Sequence, residues 1–150
     1  MKVIFLDVDG VLNNRFTRAR SPQGFIGIMD SKVKLVAKIA DETDAIIVLS
    51  TDWRLMDDDD PDYIYLKKKL DRQGLCAFDK TPDINRFERG REIAAWLDAH
   101  ENVEQYVVLD DIPFHDFNYY DLHFNCVITD PDDGIPQTEV EEAIKILNRK

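Results

Sequence analysis

Asp7 and Asp9 stand two residues apart, directly after the apolar run Val3–Leu6, and Gly10 follows them. Two carboxylates at this spacing suit a divided task. One binds a cation and attacks an electrophile, while the other serves as acid and base beside it and offers its backbone carbonyl to the cation. Three further short apolar runs also end in oxygen-bearing residues. Ala45–Leu49 leads into Ser50-Thr51-Asp52, Tyr106–Leu109 into Asp110-Asp111, and the run from Cys126 ends in Thr129-Asp130. Carboxylates gathered at one place repel each other, so a hard divalent cation is the natural partner. Magnesium takes oxygen ligands, typically one or two carboxylates completed by water and a substrate phosphate.

The elements that must position these residues alternate along the chain. The four apolar runs read as strands, and Ala45–Leu49 is continuous enough to be buried on both faces. Between them lie helical stretches. One covers Ser31–Ala40, with Val33, Val36, Ala37 and Ala40 on one face and Asp30 or Ser31 as its cap. Others cover Pro61–Leu70, closed by Gly74, and Gly90–His100, with Ile93, Trp96 and Leu97 turned inward. Thr138 and Glu141 form a capping-box pattern opening a last helix through Leu147. Strands alternating with helices predict one α/β domain over 1–150, three-layered and Rossmann-like, with a mostly parallel sheet. Such sheets bind ligands beyond the carboxyl ends of their strands, which is where the acidic and hydroxyl residues fall.

Asp7-Val8-Asp9-Gly10-Val11-Leu12-Asn13 resembles the first motif of the haloacid dehalogenase superfamily, and the order of the other signals agrees. Ser50 stands like the second-motif Ser/Thr, Arg89-Gly90 like the basic residue opening a helix, and Asp110-Asp111 like the acidic fourth motif. A narrower likeness, carried by Leu49-Ser50-Thr51-Asp52-Trp53-Arg54 and Arg89-Gly90-Arg91-Glu92-Ile93, is to a small branch that also occurs in multidomain RNA-repair proteins. The resemblance implies an aspartyl-phosphate mechanism with Asp7 as nucleophile and Asp9 as acid and base. It implies Ser50 on a phosphoryl oxygen and Arg89 as the neutralising cation. Asp7, Asp110 and the Asp9 carbonyl would hold Mg2+, with Asp111 a ligand through water or a supporting partner. Since ATPases of the superfamily carry Thr at the second acid and the dehalogenases lack it, Asp9 implies a phosphatase ahead of a phosphomutase. The short intervals between motifs imply a capless or minimally capped member with a flap over about 13–29.

Other residues compete for roles. Lys80, Arg86 and Arg91 are rivals to Arg89. Thr51 and Arg54 join the substrate-binding candidates, although Arg54 could equally pair with the Asp57–Asp60 run. That run lacks the ligand spacing of a calcium loop and reads as a solvated turn before Pro61. Asp130, Asp132 and Asp133 read as turn residues before Gly134. His115 reads as a loop residue, His100 as a complement to a helix C-terminus, and His123 as packing among Tyr119, Tyr120 and Phe124. Trp53 and Trp96 read as core. From Gly10 to Met29 there is no acidic residue, yet Arg15, Arg18 and Arg20 are present, which suggests a mobile, basic lid for the nonreacting part of a phosphorylated substrate.

Composition sets the outer limits. With 30 acidic against 19 basic residues in a chain of 150, the net charge of −11 opposes sliding along duplex nucleic acid or binding an anionic membrane. No run is long enough to span a bilayer and no leader pattern precedes Asp7. Cys76 and Cys126 read as two buried, reduced thiols, which suits the cytoplasm. The expected substrate is a nucleotide or nucleic-acid end phosphate. A small-metabolite phosphatase and a non-catalytic phosphate- or metal-binding module are the alternatives.

Overall fold

The computed structural model describes residues 1–150. Five strands form one sheet: β1 (Lys2–Leu6), β2 (Ile46–Leu49), β3 (Ala77–Lys80), β4 (Gln105–Asp110) and β5 (Cys126–Ile128). Their order is β3-β2-β1-β4-β5, and every neighbouring pair is parallel. β1 is central, which explains why Val3–Leu6 is wholly apolar: both of its faces are covered. The sheet runs outward from β1 in one direction through β2 and β3. It then returns to the other side of β1 for β4 and β5. The reversal opens a crevice at the carboxyl ends of β1 and β4, where α/β sheets bind ligands.

The alternation of side chains along β1 divides the core in two. Ile4 and Leu6 join Ile47, Leu49, Val107 and Leu109 on one face, beneath α1 (Asp30–Thr43), α2 (Pro61–Asp71) and α5 (Gln137–Leu147). Val3 and Phe5 join Val48 and Val108 on the other face, beneath α3 (Arg89–Asp98) and the short α4 (Asp116–Tyr119). Trp96 of α3 meets Phe5 edge-on at 5.5 Å between ring centres. The three-layer α/β architecture is therefore as the alternation of strands and helices implies. No helix is long and apolar enough to cross a membrane.

Several local expectations are corrected. The edge strand β3 carries no continuous apolar run; three of its four residues, Phe78, Asp79 and Lys80, are exposed, so only its pairing with β2 identifies it. The capping box at Thr138 and Glu141 does not form, because the cap position of α5 is Pro136, two residues earlier, with no side-chain cap. Nor does Asp30 or Ser31 cap α1: the cap position is Met29 and Asp30 is already helical. Asp60, by contrast, does cap α2 by accepting from the Asp62 amide. The cysteines are not both buried, since Cys76 is exposed and Cys126 partly so. His123 is exposed rather than packed, and its ring tilts against Phe124, itself exposed. His100 does stand just past the end of α3, but stacked on Trp96 at 3.7 Å.

Candidate active site

Parallel register brings the strand ends together. Leu6 pairs with Leu49 on one side and Leu109 on the other, so Asp7 emerges between Ser50 and Asp110. The Asp7 amide still donates to the Leu109 carbonyl at 3.0 Å, and the Ser50 amide to the Leu6 carbonyl at 2.9 Å. One carboxylate oxygen each from Asp7, Asp110 and Asp111 lies within 4.8 Å of the other two. Asp7 and Asp110 are buried and Asp111 half-buried. Gly10 makes room for Asp111: it turns the chain at φ 81°, and a Cβ there would run into the Asp111 side chain.

The electrostatics of this cluster follow from burial. Desolvation, and after it the charge of Asp110, hold the Asp7 carboxyl well above the usual carboxylate range, although Arg89 and the Val8 amide pull the other way. Burial likewise pushes Asp110 up to about 6, against the opposing pull of Arg89 and the Ile112 amide. Arg89 answers part of this charge. One of its terminal nitrogens lies 3.2 Å from Asp110 Oδ2, 3.5 Å from Asp7 Oδ1 and 2.8 Å from the Ser50 carbonyl, and the other reaches Asp52 at 3.3 Å. Burial works against the Arg89 charge, but Asp7, Asp110, Asp52 and Glu92 together outweigh it and raise its pKa. One guanidinium does not offset three nearby carboxylates and Asp52. Two anionic groups held above their ordinary range, in an all-oxygen donor set, suit a hard divalent cation.

Ser50 supplies a separate signal. Its hydroxyl is buried and has no hydrogen-bond partner, although most buried polar groups have one. A hydroxyl left unpaired beside a carboxylate cluster is placed to donate to an anionic oxygen brought in by a ligand.

The flanking contacts fix Asp9, whose side chain stands at the exposed mouth. Asn13 Nδ2 donates to Asp9 Oδ1 and Trp53 Nε1 donates to Asp9 Oδ2, each at 3.0 Å. Asn13 also accepts from the Gly10 amide and donates to the Gly27 carbonyl, tying the first turn to the base of the flap. Arg89 is positioned from the opposite side. Buried Asp116 accepts from the Gly90 and Arg91 amides at 3.0 and 2.9 Å and so caps α3 from across the crevice. Trp53, read as core, is also a tether; Asn13 and Asp116 carry roles that no local pattern announces.

Other expected residues sit elsewhere. Arg54 is buried and neither reaches the crevice nor meets the Asp57–Asp60 run. It pairs with buried Glu92 at 2.9 Å and donates to the Thr51, Thr81 and Pro82 carbonyls. It therefore clamps the ends of β2 and β3 to α3. The buried Thr51 hydroxyl accepts from the Trp53 amide and caps the 3-10 turn Asp52–Leu55. Lys80, Arg86 and Arg91 make their contacts away from the carboxylates: Lys80 over Tyr63, Arg86 over Phe87, and Arg91 against Glu88. His115 is exposed beyond β4. Asp130 stays in a turn closed on Gly134.

The flap contacts α2. Residues 19–27 form a small hairpin, with Ser21 and Gly27 amides donating to the Phe25 and Ala19 carbonyls. Its tip is docked on α2: the Gln23 amide donates to Asp62, and its side chain donates to Asp60 at 2.7 Å. The Ile28 amide donates to the Tyr65 hydroxyl at 3.0 Å. Arg15 is paired with Asp132, whereas Arg18 and Arg20 are exposed. Two clefts share Met56 in their walls, and of the two only the smaller has a flap residue in its wall. The larger, about 580 Å3, runs past Arg54, Asp58 and Lys80 and includes none of the carboxylates near Asp7. The smaller, about 210 Å3, is lined by Asp9, Phe25, Asp52, Trp53 and Met56.

A family model described as the HAD domain in Swiss Army Knife RNA repair proteins matches residues 3–140. Comparison with curated proteins and with solved structures gives no match.

Proposed function

This chain belongs to the family of HAD domains in Swiss Army Knife RNA repair proteins, and from that premise we propose that it is a Mg2+-dependent phosphomonoesterase acting through an aspartyl-phosphate. The observation that carries the reading is the buried, unpartnered Ser50 hydroxyl next to the Asp7–Asp110–Asp111 cluster. The cluster suits a cation, and the hydroxyl suits a phosphoryl oxygen.

Asp7, Asp110 and Asp111, with the Asp9 carbonyl, would hold Mg2+. When bound, the ion neutralises the carboxylates and the charge on the phosphoryl group. In the first step an Asp7 carboxylate oxygen forms a bond to phosphorus and the bond from phosphorus to the leaving alcohol oxygen breaks. Asp9 gives that oxygen its proton. Ser50 donates to one phosphoryl oxygen, and Arg89 offsets charge on Asp7 and the transferred group. In the second step Asp9 takes a proton from water, the water oxygen bonds to phosphorus, and the bond to Asp7 breaks. Inorganic phosphate leaves with Asp7 restored. Asn13 and Trp53 support this assignment, since a carboxylate held by two N–H donors is oriented for proton transfer, which a simple metal or phosphate binder does not need.

The substrate we infer is a nucleotide or the phosphate at a nucleic-acid end, taken by a single domain with the flap in place of a cap. The exposed Arg18 and Arg20 and the RNA-repair setting of the family favour it. The test is phosphate release from phenyl phosphate and from a 3′- or 5′-phosphorylated oligonucleotide, with Mg2+ and with EDTA. Release that requires Mg2+ and is abolished by Asp7→Asn is expected. Full activity in Asp7→Asn contradicts the mechanism, and phosphate binding without turnover would make the domain a binding module.

A further inference from the structure

The leaving oxygen must lie opposite Asp7 across phosphorus, because attack is in line, and within reach of the Asp9 carboxyl that hands it a proton; this inference rests on the function proposed above. What lies beside Asp9 is the cleft of about 210 Å3 between the flap and the 3-10 turn, walled by Phe25, Trp53 and Met56 together with Asp9 and Asp52. We propose that this cleft is a subsite for an uncharged, planar aromatic ring carried by the leaving alcohol, and that Phe25 is its stacking face.

Phe25 is 63% exposed, so its ring is open to a ligand entering the cleft. It is not a ring on a loose loop. Its amide donates to the Ser21 hydroxyl at 3.1 Å and its carbonyl accepts from the Ser21 amide, within a hairpin whose tip Gln23 ties to α2. With the backbone tied in a closed hairpin, stacking has only the two side-chain torsions of Phe25 left to order, which limits its entropy cost. Trp53, only 5% exposed, offers an edge, and Met56 fills beside it with an adaptable thioether.

The charges select what enters. Two of the five lining residues are carboxylates, and no lysine or arginine lines the cleft. Arg89 reaches Asp52 from the Asp7 side, and Arg15 is engaged with Asp132. A second phosphate on the leaving group would meet Asp9 and Asp52 here, which disfavours it. A neutral ring bearing N–H donors would instead find Asp52 as acceptor at its rim. Nucleobases have both properties, as do amino-substituted aryl groups; a bare sugar phosphate has no face to place on Phe25.

The test measures binding without turnover. The Asp7→Asn chain with Mg2+ is titrated calorimetrically with adenosine 5′-monophosphate and with ribose 5-phosphate, in which a hydroxyl replaces the base. Adenosine monophosphate is expected to bind at least about fivefold more tightly, the low end of what stacking one base on an aromatic side chain contributes. Adding Phe25→Ala should erase that difference, and Phe25→Leu, which keeps apolar bulk in the hairpin, should erase most of it. Equal affinities, undetectable binding of both, or a Phe25→Leu variant that keeps the full difference overturns the subsite. Phenyl phosphate turnover by the unmodified chain reports separately. Turnover without a ring preference in binding removes only the subsite, while a ring preference without any turnover removes the phosphomonoesterase reading and leaves the subsite standing.

Discussion

Replacing Trp53 with phenylalanine removes one N–H donor from Asp9 and leaves a small cavity where the larger ring stood. Asp9 is held by two hydrogen bonds, from Asn13 and Trp53, each at 3.0 Å. The indole body is buried, and phenylalanine keeps most of its apolar packing. Asp9 stands at the exposed mouth, so water takes the place of the lost donor. The stability cost is therefore that of an ordinary hydrogen bond plus the cavity, about 2 kcal/mol, or roughly 4–8 °C in Tm. The kinetic cost should be selective. A positioned acid contributes about 100- to 10,000-fold to proton transfer, and loss of one of two tethers is assigned about tenfold of that, or about 1.4 kcal/mol. The assay is single-turnover release of the alcohol, which isolates the first step. An alkyl phosphate, whose alkoxide must be protonated as it leaves, should slow about tenfold in Trp53→Phe. p-Nitrophenyl phosphate, whose phenolate leaves with little help, should slow far less. Equal slowing of both esters, or none in either, would refute the assignment of Asp9 as an acid held by Trp53.

Ser50→Ala deletes a buried hydroxyl that has no partner, so stability in urea should hold or rise by about 1 kcal/mol while kcat/KM falls about 100-fold; a clear loss of stability would contradict the unpaired state. Mg2+ at about one hundred times its Kd should stabilise the protein by about 2.7 kcal/mol in thermal melts, and Asp110→Asn should remove most of that gain. The cysteines should separate in alkylation. Cys76 is exposed, whereas burial pushes the Cys126 thiol up to about 12, so Cys126 stays protonated through pH 8 and gains reactivity only toward that value. Iodoacetamide at pH 8 should label Cys76 in the native protein and Cys126 only after unfolding, and equal labelling of both would contradict this.

The sequence made legible what burial on two faces imprints. β1, β2 and β4 are central strands, and their continuous apolar runs identify them together with the residues that follow, Asp7, Ser50 and Asp110. β3 lies at the sheet edge with Asp79 and Lys80 in it, and it lacks the apolar run that makes β5, at the opposite edge, legible. The caps failed for a related reason: Thr138 and Glu141 match a pattern, but the cap of α5 falls two residues sooner, at Pro136. Contacts between distant segments were beyond reach. Trp53 meets Asp9 from 44 positions away, and Asp116 meets the Gly90 amide from 26. Arg54 shows the same limit from the other side. Its place beside Ser50 suggests the crevice, yet Glu92, the Thr81 and Pro82 carbonyls from another segment and the nearby Thr51 carbonyl claim its guanidinium.

The central claim is that Asp7 carries the phosphoryl group. Its direct test is mass spectrometry of acid-quenched protein after mixing with phenyl phosphate and Mg2+, using the Asp9→Asn variant to slow the second step. One phosphoryl group on the N-terminal peptide, localised to Asp7 and absent when Asp7 is replaced by asparagine, is the predicted result. Phosphate release by the unmodified chain without any phosphorylated Asp7 at any quench time in either protein would contradict it.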